Sequence, residues 1–307
     1  MQSIRAVVGP LGGSRIAETV AAVPGIDATI VRRREEMLPA LPGVPVVVTY
    51  AWSDDWLSDD LRWIQSVSAG TDQFPIDELR SRGVILTSAT GIHEVQVSEH
   101  ALGLLLAMTR GIDRAIANQQ TRTWARTEVH ELNGLTLGVL GLGVIGEGLA
   151  RRASALGMQV IGTKRDPSSY DGVAERVFGS DGTLEVCHQA DAVVITLPGT
   201  PETRGLVGTT ELEALRGGWL VNVGRGSVVD TQALVAAMRS ETLAGAALDV
   251  FEDEPLPPES PLWDLPNVIV SPHLAGLSPR YGERLAALFA RNLEAYRGEG
   301  EWVNRVV

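Results

Sequence analysis

The sequence predicts an α/β protein with two parallel β-sheets. Three observations carry that expectation. A chain of 307 residues holds about two domains at roughly 150 residues each. Short apolar, β-branched runs alternate with helical patterns in the first third, and the rhythm starts again in the middle. One run leads straight into Gly141-Leu142-Gly143-Val144-Ile145-Gly146 and then an apolar helical stretch, Glu147 to Leu156.

Taken in order, strands are expected at Arg5–Val8, closed by Gly9-Pro10, and at Pro45–Tyr50. Trp63–Val67, ending in Ser68-Ala69-Gly70-Thr71-Asp72, and Gly83–Thr87 follow, with Ile76–Ser81 reading as a helix between them. Val97–Asn118 reads as one long apolar-periodic helix, about 30 Å at 1.5 Å per residue, connecting the halves and packed on both. A polar loop containing Trp124 covers Thr121–Asn133. Strands then recur at Thr136–Leu140, Met158–Gly162, Ala192–Leu197, Trp219–Val223, Ala244–Leu248 and Val268–Ser271. That strand content with intervening helices is what a doubly wound fold requires. Glu254–Pro258 is a loop, because proline removes a donor and breaks both regular structures.

Composition narrows the functional classes. Acidic residues number 38 against 26 basic ones, and the net charge is -12. Such a surface repels phosphate backbones, so nucleic acid is not an expected partner. The single Cys187 excludes a disulfide framework and a multi-cysteine metal site, and its helical context reads as a buried small side chain. No metal-ligand spacing occurs, and His130 and His188 stand alone. The longest apolar run, Ala101–Met108, falls short of the ~18 residues a span needs, and no signal segment is visible at the N-terminus. A cytoplasmic enzyme or binding protein, away from membranes, is the expectation. Lys164 is the only lysine among the 26 basic residues.

The glycine loop points to a dinucleotide. Gly141 permits the tight turn, Gly143 lets backbone approach a pyrophosphate, and Gly146 lets helix pack close to strand. The amides of Val144, Ile145 and their neighbours at the helix start then face the phosphates. Selectivity is set at the end of the next strand, in Thr163-Lys164-Arg165-Asp166. An Asp166 facing the ribose would select NAD. A hydroxyl and two cations at Thr163, Lys164 and Arg165, nearer the strand end, suit the 2′-phosphate of NADP. NADP is the preferred cofactor on this reading, with NAD possible.

The chain resembles the D-isomer-specific 2-hydroxyacid dehydrogenase family across nearly its whole length. The resemblance rests on motifs in the family's order: Leu132–Gly138 leading into the glycine loop, Asn222-Val223-Gly224-Arg225-Gly226, Leu248-Asp249-Val250-Phe251 followed by Glu254-Pro255-Leu256-Pro257, and Ser271-Pro272-His273-Leu274-Ala275-Gly276. It implies two Rossmann-like domains, a larger dinucleotide-binding one at 96–276 inserted in a smaller flavodoxin-like substrate domain at 1–95 plus 277–307. It also implies a cleft that closes on a 2-keto or 2-hydroxy acid, and a homodimer with the connector helix and the Trp124 loop as contact elements.

Reduction of a 2-keto acid needs a cation for the carboxylate, a proton donor for the carbonyl oxygen and a bound hydride source. Arg225 follows a strand between Gly224 and Gly226, which leave room for a substrate, and its planar fork matches a carboxylate. His273 follows another strand and is of the residue type suited to general acid–base work, and Glu254 can pair with it. Taken singly, the arginine also suits a surface ion pair and the histidine a turn; three such residues after strand ends of one fold favour catalysis. The resemblance assigns Arg225 to substrate binding and polarisation, Glu254 to tuning, and His273 to proton transfer.

The resemblance further implies that Asp249, Val223, Gly224 and Gly276 meet the nicotinamide end. Leu197, Pro198 and Thr203 would line the adenosine side, and Ala69-Gly70-Thr71 would offer amides to the substrate carboxylate. His93, His100, Trp52 and Tyr50 could face the substrate or, as lone side chains, serve structure alone, the usual role of such residues. The sequence departs from the family's pattern at Lys164, where an acid is usual, and at Thr87–Gln96, which lacks the common Pro-Gly. Two rivals remain: a phosphite-oxidising relative, and a dinucleotide sensor of the corepressor type. A formate-type member would carry glutamine in place of Glu254.

Overall fold

The computed structural model describes residues 3–11 and 14–307; residues 1, 2, 12 and 13 of the expected 1–95 segment lie outside the described residues. The chain divides into two units, Met1–His93 with Ser278–Val307, and Glu94–Leu277.

The smaller unit is a five-stranded parallel sheet. Its strands are β1 (Ile4–Val8), β2 (Ile26–Ile30), β3 (Val46–Thr49), β4 (Trp63–Ser66) and β5 (Ile85–Thr87), in the order β2-β1-β3-β4-β5. Its helices include α1 (Ser14–Ala21), α2 (Met37–Ala40), α3 (Ile76–Ser81) and the C-terminal helix Tyr281–Tyr296. β2 has no counterpart among the strands expected from sequence. Its residues alternate between half-buried Ile26, Ala28 and Ile30 and exposed Asp27 and Thr29, so they carry no continuous apolar run. Trp63 explains why the C-terminal segment belongs here. Its fully buried indole stacks on Phe289 at 5.0 Å and Tyr296 at 5.8 Å, and meets Trp302 edge-on at 5.2 Å. A buried polar chain reinforces this closure: Thr87 Oγ1 donates to Gln65 Oε1 (2.9 Å), Asn292 Nδ2 donates to the same oxygen (2.9 Å), and the Val303 amide donates to Asn292 Oδ1 (2.8 Å).

The larger unit opens with α4 (Glu94–Thr109) and α5 (Ile112–Gln120). These replace the single helix expected over Val97–Asn118. Gly111 breaks it, with a left-handed backbone (φ 64°) that continues no helix. A Cβ there would also lie 2.4 Å from Thr127 Cγ2, so only glycine admits the neighbouring loop. Then come β6 (Thr136–Leu140), α6 (Val144–Ala155), β7 (Gln159–Thr163), β8 (Arg176–Phe178), α7 (Thr183–Gln189), β9 (Ala192–Ile195), α8 (Thr209–Ala214), β10 (Trp219–Asn222), α9 (Thr231–Arg239), β11 (Gly245–Leu248) and β12 (Val268–Val270).

The sheet is seven-stranded and parallel, in the order β12-β11-β10-β9-β6-β7-β8. The extra strand relative to the sequence expectation is β8, a three-residue edge strand too short to show alternation. One face buries Val97, Ala101, Leu104 and Leu105 of α4 with Leu149 and Ala153 of α6. The other buries Val186 and Cys187 of α7, Leu212 of α8 and Leu234 of α9. Cys187 is a core residue whose thiol burial pushes up to about 12, with Glu211 adding to the rise. Among the described residues no helix is long and apolar enough to cross a membrane.

Candidate active site

Strand register gathers the motifs on one edge of the larger sheet. Leu140, Ile195, Asn222, Leu248 and Val270 stand side by side across β6, β9, β10, β11 and β12. The next residues along the chain therefore emerge together: the glycine loop, Thr196-Leu197-Pro198, Val223-Gly224-Arg225, Asp249, and Ser271-Pro272-His273. The chain runs outward from β6 to β8 and resumes at β9 on the opposite side, so β6 and β9 flank the topological switch point. In such sheets ligands bind beyond the carboxyl ends, at that crevice.

The glycine loop fits a pyrophosphate. Gly141 is left-handed (φ 103°), and a Cβ at Gly146 would lie 2.2 Å from Gly141 O, so turn and helix meet without side chains. Gly143 is exposed, with no heavy atom within 4 Å of a Cβ position, and as N-cap it supplies no side-chain acceptor to the first turn of α6. The amides of that turn, at Val144 and Ile145, suit an anion. Thr196 Oγ1 donates to Gly141 O (2.7 Å), a support the motif did not reveal.

At the end of β7 the four selectivity residues separate. Thr163 is buried and its hydroxyl accepts from the Gly141 amide (3.1 Å). The hydroxyl expected at a 2′-phosphate is thus committed inside the fold. Lys164 is half-buried, with Nζ 3.2 Å from Leu142 O in the glycine loop, and Arg165 is exposed. Asp166 caps its own turn, accepting from Ser168 Oγ (2.6 Å) and Ser168 N (3.1 Å), and the serine hydroxyl bond foremost holds its carboxyl below the usual range. Thr203 is likewise engaged within its own turn, donating to Pro198 O (2.6 Å).

The Arg225 loop is folded by Asn222, whose side chain accepts from Gly224 N and donates to Arg225 O, both at 3.0 Å. The flanking glycines do not leave space for a substrate. A Cβ at Gly224 would lie 2.6 Å from Leu197 O, and one at Gly226 would lie 1.9 Å from the Phe251 carbonyl carbon. Neighbouring backbone fills both places.

His273 stands on a turn with a left-handed backbone (φ 52°), uncommon for a residue with a Cβ. Asp249, 1% exposed, holds that turn. Its oxygens accept from Leu274 N (2.8 Å), Ala275 N (2.9 Å) and Ser271 Oγ (2.5 Å), and its carbonyl accepts from His273 N (3.0 Å). His100 Nε2 lies 3.2 Å from the same carboxylate. Burial alone would raise this carboxyl's pKa, but the bonds from His100, Ser271, Ala275 and Leu274 outweigh it and keep the group below its ordinary range. His273 Nδ1 lies 2.7 Å from Glu254 Oε2, and Glu254 Oε1 accepts from Phe251 N (3.0 Å). A carboxylate only accepts, so Nδ1 carries the proton of this pair.

The weaker candidates scatter. Trp52 is buried against Trp56 and Phe74, and the His93 ring lies 5.3 Å from that of Tyr281. Tyr50 is exposed on the smaller unit. In that unit the Ser68–Thr71 turn is held by Ser68 Oγ donating to Gly70 O (2.5 Å), with Ala69 exposed and Gly70 and Thr71 half-buried. Gly276, half-buried, follows the His273 turn.

The sequence of the NAD-binding domain of D-isomer-specific 2-hydroxyacid dehydrogenases matches residues 102–275, more than half the chain. A glyoxylate reductase of Thermofilum pendens is 37% identical over 245 residues, covering 77% of this chain and 72% of the relative. The chain belongs to the D-isomer-specific 2-hydroxyacid dehydrogenase family. An (S)-sulfolactate dehydrogenase of Chromohalobacter salexigens is 32% identical over 289 residues, covering 92% of this family member and 88% of the relative. Among solved structures, an NADPH-dependent glyoxylate/hydroxypyruvate reductase of Sinorhizobium meliloti, in complex with NADP and malonate, superposes with a TM-score of 0.80 at 28% identity. It covers 100% of this chain and 97% of that one. The family's members are NAD(P)-binding oxidoreductases, and the matched segment of this dehydrogenase contains the glycine loop, Arg225, Glu254 and His273.

Proposed function

We propose that the protein transfers a hydride between NADP(H) and a small 2-keto acid / D-2-hydroxy acid pair, glyoxylate and hydroxypyruvate foremost. The observation that carries this reading is the 2.7 Å pair of His273 and Glu254, two sheet positions from Arg225 on the edge that also bears the glycine loop. Neighbouring strands stand about 4.8 Å apart, so the Arg225 and His273 strands are about 10 Å apart, a span a small keto acid bridges with the long arginine. Arg225 binds the carboxylate with its planar fork and polarises the carbonyl. His273 donates the proton at Nε2 to the carbonyl oxygen in reduction and takes it back in oxidation. Glu254 keeps the imidazole oriented and balances its charge. The bound dinucleotide supplies or accepts the hydride.

Residues of the glycine loop hold the pyrophosphate, with Leu197, Pro198 and the Thr203 turn along the adenosine and Val223, Gly224, Asp249 and Gly276 toward the nicotinamide. NADP preference is supported by Asp166, whose carboxylate is tied to Ser168, by Lys164 beside the glycine loop, and by Arg165, the exposed cation that follows it. The similarity to an NADPH-dependent glyoxylate/hydroxypyruvate reductase points the same way. A homodimer is supported by Ile112 and Ile116 on α5 and by Trp124, 98% exposed on the adjoining loop, an apolar set a monomer would leave in water. Sedimentation of wild type against Trp124→Ala tests it. A panel of glyoxylate, hydroxypyruvate, pyruvate and branched or phenyl keto acids with NADPH and NADH tests the activity. Tight NADPH binding without turnover on any acid would favour a dinucleotide sensor instead.

A further inference from the structure

We propose that His100 is a positioning residue for His273, acting through Ser271 and Asp249; the proposal rests on the acid–base reading of His273 given above. The Asp249 carboxylate is buried and accepts from the two amides that follow His273, at Leu274 and Ala275. Its orientation therefore sets the turn on which the left-handed His273 stands. Ser271 Oγ gives its one proton to Asp249 Oδ1 at 2.5 Å. His100 Nε2 lies 3.0 Å from that serine oxygen and 3.2 Å from Asp249 Oδ1, so a single N–H of the ring serves both. His100 thus fixes the serine rotamer and the carboxylate plane together.

The imidazole comes from a rigid element. Val97, Ala101, Leu104 and Leu105 hold α4 in the core of the larger unit, and a group fixed this way positions its partners better than one on a loop. The ring also borders a surface pocket with Gln96, Glu99, Leu274 and Leu277, so changing it leaves the packing behind it in place. His100 has no contact with the Glu254 pair and supplies no proton to the reaction; its effect is on where His273 stands.

The test compares His100→Leu, which removes the donor, with His100→Gln, whose amide nitrogen reaches about as far as Nε2. Both are assayed with glyoxylate and NADPH, and NADPH affinity is followed by tryptophan fluorescence. A catalytic group displaced by about 1 Å loses about 100-fold in rate. His100→Leu is expected to lower kcat about 10- to 100-fold, with KM for glyoxylate and Kd for NADPH within about threefold of wild type. His100→Gln is expected to recover kcat to within about threefold. A His100→Leu enzyme with wild-type kcat overturns the proposal, as does an equal loss in both variants, which would make the ring a space-filler, or a loss confined to NADPH affinity. His273→Ala assayed alongside separates the two readings. Retained turnover in that variant removes the acid–base role itself, whereas an inactive His273→Ala beside an unaffected His100→Leu removes only the role of His100.

Discussion

Gly226→Ala is the substitution whose outcome follows most directly from the packing. A Cβ at Gly226 would lie 1.9 Å from the Phe251 carbonyl carbon, 2.2 Å from its oxygen and 2.3 Å from the Glu252 amide nitrogen. These are backbone atoms, so no side chain can swing aside. Ordinary carbon contacts begin near 3.5 Å, so the two segments must part by about 1.5 Å. Overpacking of this kind costs about 1–3 kcal/mol. For a unit of this size that lowers Tm by about 2–12 °C. The displacement also reaches the chemistry, because Arg225 is the preceding residue and Glu254 accepts from the Phe251 amide at 3.0 Å. A shift of about 1 Å there should cut kcat about 100-fold. Circular-dichroism melting and NADPH oxidation with glyoxylate measure both. A variant with wild-type Tm and kcat refutes the packing argument. An unchanged Tm with a higher KM for bulky keto acids alone would mean that the glycine makes room for substrate after all.

Lys164→Ala with Arg165→Ala should raise the NADPH KM about 10- to 100-fold, since each charge-assisted bond contributes about 1.5–3 kcal/mol before solvent screening, and leave the NADH KM within about threefold; equal effects on both cofactors would reject the phosphate site. Arg225→Ala should lower kcat/KM for glyoxylate by at least about 100-fold with kcat falling as well, because a charge-assisted contact also polarises the carbonyl. A change in KM alone would leave only a binding role. Asp249→Asn should show its stability deficit at neutral pH and a smaller one in acid. The folded carboxyl lies below its ordinary range while the unfolded one titrates near about 3.9, so wild type loses this contribution as pH falls below about 4. Denaturant unfolding at neutral pH and at about pH 3 decides it, and a constant gap between the two proteins would contradict the sign.

Much of the larger unit could be read from its sequence, and the reason is its burial. Strands such as Ala192–Ile195 and Trp219–Asn222 are covered on both faces, so they appear as continuous apolar runs ending in a marked residue. Once parallel order is granted, the residues after those ends must share one edge, which is why Arg225 and His273 could be paired on paper. The exposed edge strands β2 and β8 carry no such signal, and a single glycine at 111 was enough to divide a helix whose periodicity ran through it. The support beneath the site was hidden for another reason. His100 and Ser271 are 171 positions apart, and nothing in a serine or a half-buried helix histidine marks the other as its partner. Likewise Thr163 satisfies the 2′-phosphate pattern by type, but β7 turns its hydroxyl toward Gly141.

Initial rates of NADPH oxidation with glyoxylate and hydroxypyruvate, for wild type and His273→Ala, test the central claim most directly. Wild type is expected to show substrate-dependent oxidation and the variant a loss of about 100- to 10,000-fold, with NADPH affinity retained. Equal rates in the two proteins, or NADPH binding with no turnover by wild type, would contradict it.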